Sequence, residues 1–180
     1  MFKQTRTLVY LAFLIALNIV LSRILSMRIS IGGVEGIRIG LGGLPIILAG
    51  IGLGPWHGGI VGAAADIIGY MINPMGGYAP HFTLSAFLTG FIPGAVTRYV
   101  FKNQNRFWQL LLAILLGETV TSLILVPYFL NHLFGVPFTA TLIPKIFSVV
   151  IQAPFYAYLI SVILDFKILE PSGVTNGRKP

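Results

Sequence analysis

Asp66 is an acid inside the otherwise apolar run Gly58 to Ile72, in a 180-residue chain that carries only five acidic residues. A charge at membrane depth costs roughly 2.5–3.5 kcal/mol on insertion scales, so this carboxylate must hold a partner or face a polar cavity. On a helix, Asp66, Tyr70 and Asn73 stand at i, i+4 and i+7, which puts a carboxylate, a phenol and an amide on one face. Two later apolar runs carry comparable faces: Glu118 with Thr121 and Ser122, and Lys145 with Ser148 and Gln152 at i, i+3 and i+7. Three polar stripes on three helices predict one shared cavity. The alternative is internal pairing, with Asp66 or Glu118 neutralised by Lys145 or Arg98 to hold a bundle together.

The segments between apolar runs supply aromatic and basic groups. Met75 to Thr83 contains Gly76, Gly77 and Pro80 for turn geometry and offers Tyr78, His81 and Phe82 as a cover for a planar ligand. Arg28 and Arg38 are suited to an anion, because guanidinium meets carboxylate through two parallel hydrogen bonds. Snorkelling at a helix end is the plain alternative for Arg23 and Arg28. His57, expected in a cytoplasmic turn, and His132 have no metal-ligand spacing to another His or carboxylate, so no metal site is expected. Walker A, GxSxG and paired-His metalloprotease motifs are absent from the sequence, so no catalytic residue is expected, and any ATP hydrolysis belongs to another subunit. The chain has no cysteine, which leaves no disulfide framework or thiolate nucleophile.

Stepping outward to the elements, 56% of residues are hydrophobic, 9% are charged and the mean hydropathy is +0.87. Soluble domains carry roughly a quarter charged residues, so the class is an all-α membrane protein, multi-pass in the cell membrane, with no nucleic-acid partner. Six transmembrane helices are predicted at about 7–26, 41–53, 58–73, 82–101, 108–127 and 142–165. They form a single domain over 1–168, followed by a flexible tail over 169–180 without apolar periodicity. The first run lacks a small-residue cleavage site and reads as a retained helix. Basic residues at the start, around Arg98 to Arg106 and at the end put both termini in the cytoplasm, with 27–40, 74–81 and 128–141 facing outward. Segments two and three are short and rich in Gly and Pro, which marks a binding region or close helix packing. Ala12 and Ala16, one turn apart on the first helix, would let a partner helix approach closely.

The runs Arg38-Ile-Gly-Leu-Gly-Gly-Leu-Pro45, Gly54-Pro-Trp-His-Gly-Gly59, Val61-Gly-Ala-Ala-Ala-Asp-Ile-Ile-Gly-Tyr70, Gly76-Gly-Tyr-Ala-Pro-His-Phe-Thr83 and Gly90-Phe-Ile-Pro-Gly94 carry a family resemblance. Together they resemble the substrate-binding S subunits of energy-coupling factor (ECF) vitamin transporters, and within that family the folate-specific branch. The likeness in architecture covers about residues 5–168. It implies a vitamin bound near the outer face, beneath the loops after helices one, three and five. It also implies a transmembrane coupling (T) subunit docked on Ala12 and Ala16, and two cytoplasmic ATPases that drive the S subunit to topple and release its cargo inside. For folate, Asp66 would accept the paired donors of the pterin edge and Tyr70 or Tyr78 would stack on the ring. The glutamate tail would seek Arg38, Arg98 or Lys145, with Arg28 as a further basic group and Asn73, Gln152 and His81 as secondary polar contacts. The readings left open beside this one are an S subunit for another flat vitamin and a membrane-embedded enzyme using Asp66, His57 or Glu118.

Overall fold

Glycine and proline decide where the rods of this apolar chain begin and end. The computed structural model describes residues 2–23, 27–28, 38–72, 78–102 and 106–166, without the side chains of residues 2–4, 23, 27, 28, 38, 39 and 134. The described elements are α1 (Phe2–Arg23), β1 (Met27–Arg28), β2 (Arg38–Ile39), α2 (Gly43–Leu53), α3 (Pro55–Ile72), α4 (Pro80–Ala95), α5 (Phe107–Glu118), α6 (Val126–Phe134) and α7 (Phe138–Asp165). A π-helical turn, Val96–Val100, prolongs α4, and another, Thr119–Leu125, joins α5 to α6. The described residues therefore form six rods, in line with the all-α class and the six segments expected. The departure is a two-residue antiparallel ladder in the first connection, with Met27 opposite Ile39 and Arg28 opposite Arg38.

The boundaries differ from expectation at two places. α2 and α3 are joined by Gly54 alone, at φ +116, and Pro55 opens α3. Only glycine adopts that backbone without strain, and proline suits a first helical position because its missing N–H would have no partner there. His57 therefore lies in the first turn of α3, not in a connecting turn. The fifth rod runs through to Phe134 instead of ending near residue 127, so the expected outer loop over 128–141 shrinks to the short connection before α7. Pro127 would clash with the carbonyl four residues back in a regular α-helix, and the wider π turn lies directly before it.

Among the described residues, three helical stretches are long and apolar enough to cross a membrane, Thr5–Ser22, Phe107–Leu133 and Phe138–Asp165. α2 has 11 residues. That is about 16 Å of helix against a hydrocarbon core of about 30 Å, so α2 cannot span alone. Its side chains from Leu44 to Ala49 are buried on every face, as an apolar helix without a polar stripe requires. Glycine lets α2, α3 and α4 pack backbone against backbone: a Cβ on Gly50 would lie 2.1 Å from the Gly90 carbonyl oxygen, and one on Gly58 would lie 2.4 Å from the Gly50 Cα. Both readings of these glycines meet here, since short interrupted helices are tolerated at depth only inside protein.

Hydroxyls in the rods are largely satisfied on their own helices. Ser85 donates to the His81 carbonyl at 3.1 Å, Thr89 to Ser85 at 2.9 Å, Thr121 to Gly117 at 2.9 Å and Ser148 to Pro144 at 3.0 Å. Such bonds make a hydroxyl tolerable in an apolar setting, so Thr121 and Ser148 serve their helices and do not extend the predicted polar stripes.

The start of α2 is clamped from two sides. Asn18 of α1 donates its side-chain N–H to the Gly42 carbonyl, and the buried Tyr156 of α7 donates its hydroxyl to the Gly40 carbonyl. A side chain at Gly42 would press on the Ser22 Cβ at 2.9 Å. Tyr156→Phe leaves a part-buried carbonyl without this donor and is expected to lower the free energy of unfolding by about 1 kcal/mol, read by denaturant titration in detergent. An unchanged midpoint would show that this bond does not fasten α7 to the α2 start.

Candidate functional site

The close packing of α3 on α4 brings the Asp66 carboxylate to a hydroxyl. One turn before Asp66, Gly62 sits against the neighbouring backbone, where a Cβ would lie 2.1 Å from the Ala86 carbonyl oxygen. With α3 and α4 that close, two short side chains can meet: Thr83, in the first turn of α4, donates its hydroxyl to Asp66 Oδ2 at 2.7 Å. The Tyr78 hydroxyl lies 2.9 Å from the same Thr83 oxygen. A threonine hydroxyl has one proton, and that proton is directed at Asp66 Oδ2, so Tyr78 is the donor to Thr83. The tyrosine ring packs in turn on Tyr70, with centroids 5.2 Å apart and planes inclined by 56°.

Asp66, Tyr70, Thr83 and Tyr78 thus form one connected group at the end of the bundle where α3 stops and α4 starts. A carboxylate oxygen has two lone pairs, so among the described residues Asp66 keeps Oδ1 and spare capacity on Oδ2 for further donors. Held in orientation by Thr83, it can accept two parallel N–H donors from a flat ring, and the two tyrosines flank it with aromatic surface.

The other predicted site residues fall elsewhere or outside the described part. Asn73 is outside the described residues. Arg28 and Arg38 are placed by their backbones, opposite each other in the ladder, and their side chains are outside the description. His81 is two residues before Thr83, about 200° around the helix. It packs on Phe129 of α6 at 4.9 Å and not on the Asp66 group. Gln152 lies 3.2 Å from the Tyr156 hydroxyl, through its Oε1. Lys145 acts electrostatically on the buried Glu118, which also accepts a 2.6 Å hydrogen bond from Ser122.

Arg98 stands apart from the Asp66 group. Its guanidinium Nη1 would be 3.0 Å from a Cβ on Gly54, beside His57. α4 runs back along α3, so a residue 18 positions after Pro80 stands about 27 Å further down, at the opposite end from Tyr78. Arg98 therefore cannot pair with Asp66 or join its group. Thr83 is the residue missed by sequence reasoning. Its only signal was position, three residues after the proline that opens a helix adjacent to the acid.

On α1, Leu11, Leu14 and Asn18 are buried, whereas Ala12, Ala16 and Phe13 face outward. The small-residue pair therefore lies on the outer surface.

The family model of the ECF-type riboflavin transporter S component matches residues 2–165. The chain belongs to the S components of ECF-type transporters. Among curated proteins, this S component is 34% identical over 158 residues to the folate transporter FolT of Clostridium novyi (strain NT), covering 88% of this chain and 87% of the relative. Among solved structures, it superposes on FolT bound with folic acid with a TM-score of 0.73 at 31% identity, covering 89% of this chain and 96% of that one. An S component for biotin superposes with a TM-score of 0.71 at 23% identity over 91% of each chain, a likeness of fold alone. The S component is an integral membrane protein of a transporter family, which is not an enzyme family.

Proposed function

We propose that this S component binds folate at the outer end of its bundle and delivers it to the cytoplasm with a T component and two ATPase subunits. The carrying observation is the Asp66 carboxylate, fixed in orientation by Thr83 and flanked by Tyr70 and Tyr78. Two relatives above 30% identity, one named a folate transporter and one solved with folic acid, support the same ligand. A pterin edge presents an amino group beside a ring N–H, two adjacent donors that match one carboxylate. The anionic glutamate tail would meet Arg38 and Arg28, whose backbones face each other in the first connection. Asn73, one residue past the described end of α3, would serve as a secondary polar contact. The chain itself carries no catalysis and no cofactor, and both termini are cytoplasmic under the positive-inside rule, with Arg98, Lys102 and Arg106 at the inner end.

Riboflavin is the second reading, because the matching family model bears its name. Its ring edge offers one N–H between two carbonyls, and the vitamin has no anionic tail, so it uses neither the paired acceptor nor the arginines as well. Titration of the purified protein with folate and with riboflavin, by calorimetry without ATP or partner subunits, decides between them. One equivalent of folate bound more tightly than riboflavin supports the proposal, and the reverse order overturns it.

Docking of the T component is assigned to the outward Ala12 and Ala16. Replacing either with Trp should leave folate binding by the isolated protein unchanged and abolish uptake in the assembled transporter, since a bulky side chain prevents close backbone approach. Normal uptake would reject that surface.

A further inference from the structure

We infer that Thr83 is a positioning residue that makes the orientation of Asp66 and the seating of Tyr78 one event, so that it governs how slowly folate leaves. The inference rests on the folate reading above and adds a residue and a kinetic role to it.

The hydrogen bonds run in one direction, from the Tyr78 hydroxyl to Thr83 at 2.9 Å and from Thr83 to Asp66 at 2.7 Å. Each donor is polarised by the group beyond it, and the series ends on a carboxylate, so the two bonds reinforce each other. Thr83 hydrogen-bonds both of its neighbours, which stand 12 positions apart in sequence, Asp66 on α3 and Tyr78 just before α4. Tyr78 is 45% exposed and leans on Tyr70; its hydroxyl bond to Thr83 is what ties the exposed ring down. Without the Thr83 hydroxyl, the carboxylate can turn about its side-chain torsions and the Tyr78 ring keeps only its contact with Tyr70. Both losses act on the bound state more than on encounter, which places the effect in the dissociation rate.

Valine has nearly the shape of threonine and lacks the hydroxyl, so Thr83→Val removes both bonds with little change in packing, whereas Thr83→Ser keeps the hydroxyl and loses a methyl. Stopped-flow fluorescence of folate association and dissociation with the full chain in detergent reads the two rates. Thr83→Val is expected to speed dissociation about tenfold, the loss of roughly one charge-assisted hydrogen bond, with association little changed. Thr83→Ser should dissociate close to the unsubstituted rate. Tyr78→Phe should speed dissociation in the unsubstituted protein and add nothing in the Thr83→Val background, since its hydroxyl acts through Thr83.

A Thr83→Val protein that releases folate at the unsubstituted rate overturns the inference while leaving the folate reading intact. So does Thr83→Ser as impaired as Thr83→Val, which would assign the effect to packing of the methyl. Should Thr83→Val not fold, Tyr78→Phe and Thr83→Ser decide alone: faster release in the first with unchanged release in the second supports the role, and any other pattern overturns it. Failure of the unsubstituted protein to bind folate at all would remove the folate reading and this inference together.

Discussion

Asp66→Asn should bind folate about a hundredfold or more weakly than the unsubstituted protein, since two charge-assisted hydrogen bonds of about 1.5–3 kcal/mol each lose their acceptor. The amide keeps the shape of the carboxylate but has a single acceptor oxygen, and Thr83, 2.7 Å away, is placed to hold it. The amide nitrogen is then turned toward the ligand, where it opposes the pterin donors. Stability should change little, because the side chain remains hydrogen-bonded to Thr83. Calorimetric titration together with a thermal melt checks both halves. Unchanged affinity in a protein that melts much earlier would identify Asp66 as a structural member of the bundle and end its assignment as the ligand acceptor.

Gly50→Ala should be among the most damaging single methyls at the described glycines. On propensity alone the substitution favours a helix by about 1 kcal/mol. The new Cβ, however, would lie 2.1 Å from the Gly90 carbonyl oxygen, where real contacts essentially never fall below 3.0 Å. The obstructing atom is backbone and cannot rotate away. Gly94 presses on Gly50 from the same helix, with its own added Cβ 2.4 Å from the Gly50 carbonyl oxygen, and so blocks a sideways shift of α4. Overpacking a core with flexible side chains costs about 1–3 kcal/mol, and this rigid clash lies at or above the top of that range, well beyond the propensity gain. The expected result is a large fall in thermal midpoint and loss of folate binding, because α4, which the clash displaces, is the helix that brings Thr83 to Asp66 on α3. A variant that melts like the unsubstituted protein would show that α2 and α4 are not in backbone contact.

The six rods could be read from the sequence because apolar runs of membrane length leave a strong signal, and because Gly54-Pro55 and Pro80 mark true breaks. Pro127 misled for the same reason: proline forbids a regular helix, yet a π turn before it carries the rod onward, and no residue type announces such a turn. Asp66 was legible as a chemical group since a charge in an apolar run demands a partner. Its partner was not, because a threonine in a helix usually satisfies itself on the preceding turn, as Thr89 and Thr121 do. Thr83 differs through Gly62, on another helix, which allows the two backbones to touch. Arg98 and Lys145 show the limit of charge counting. Each was a plausible counter-ion by sign, but antiparallel packing sends Arg98 to the far end of the bundle, and the carboxylate that feels the charge of Lys145 is Glu118.

The short α2, sealed on all sides and joined to α3 by one residue, has a consequence for biogenesis. It is too brief to stay in a bilayer unaided, so it cannot be released into lipid as an independent unit when it leaves the ribosome. It must wait at the translocon with its hairpin partner until α4 arrives to cover it, which makes membrane integration of this chain an ordered process in which the fourth rod closes what the second began.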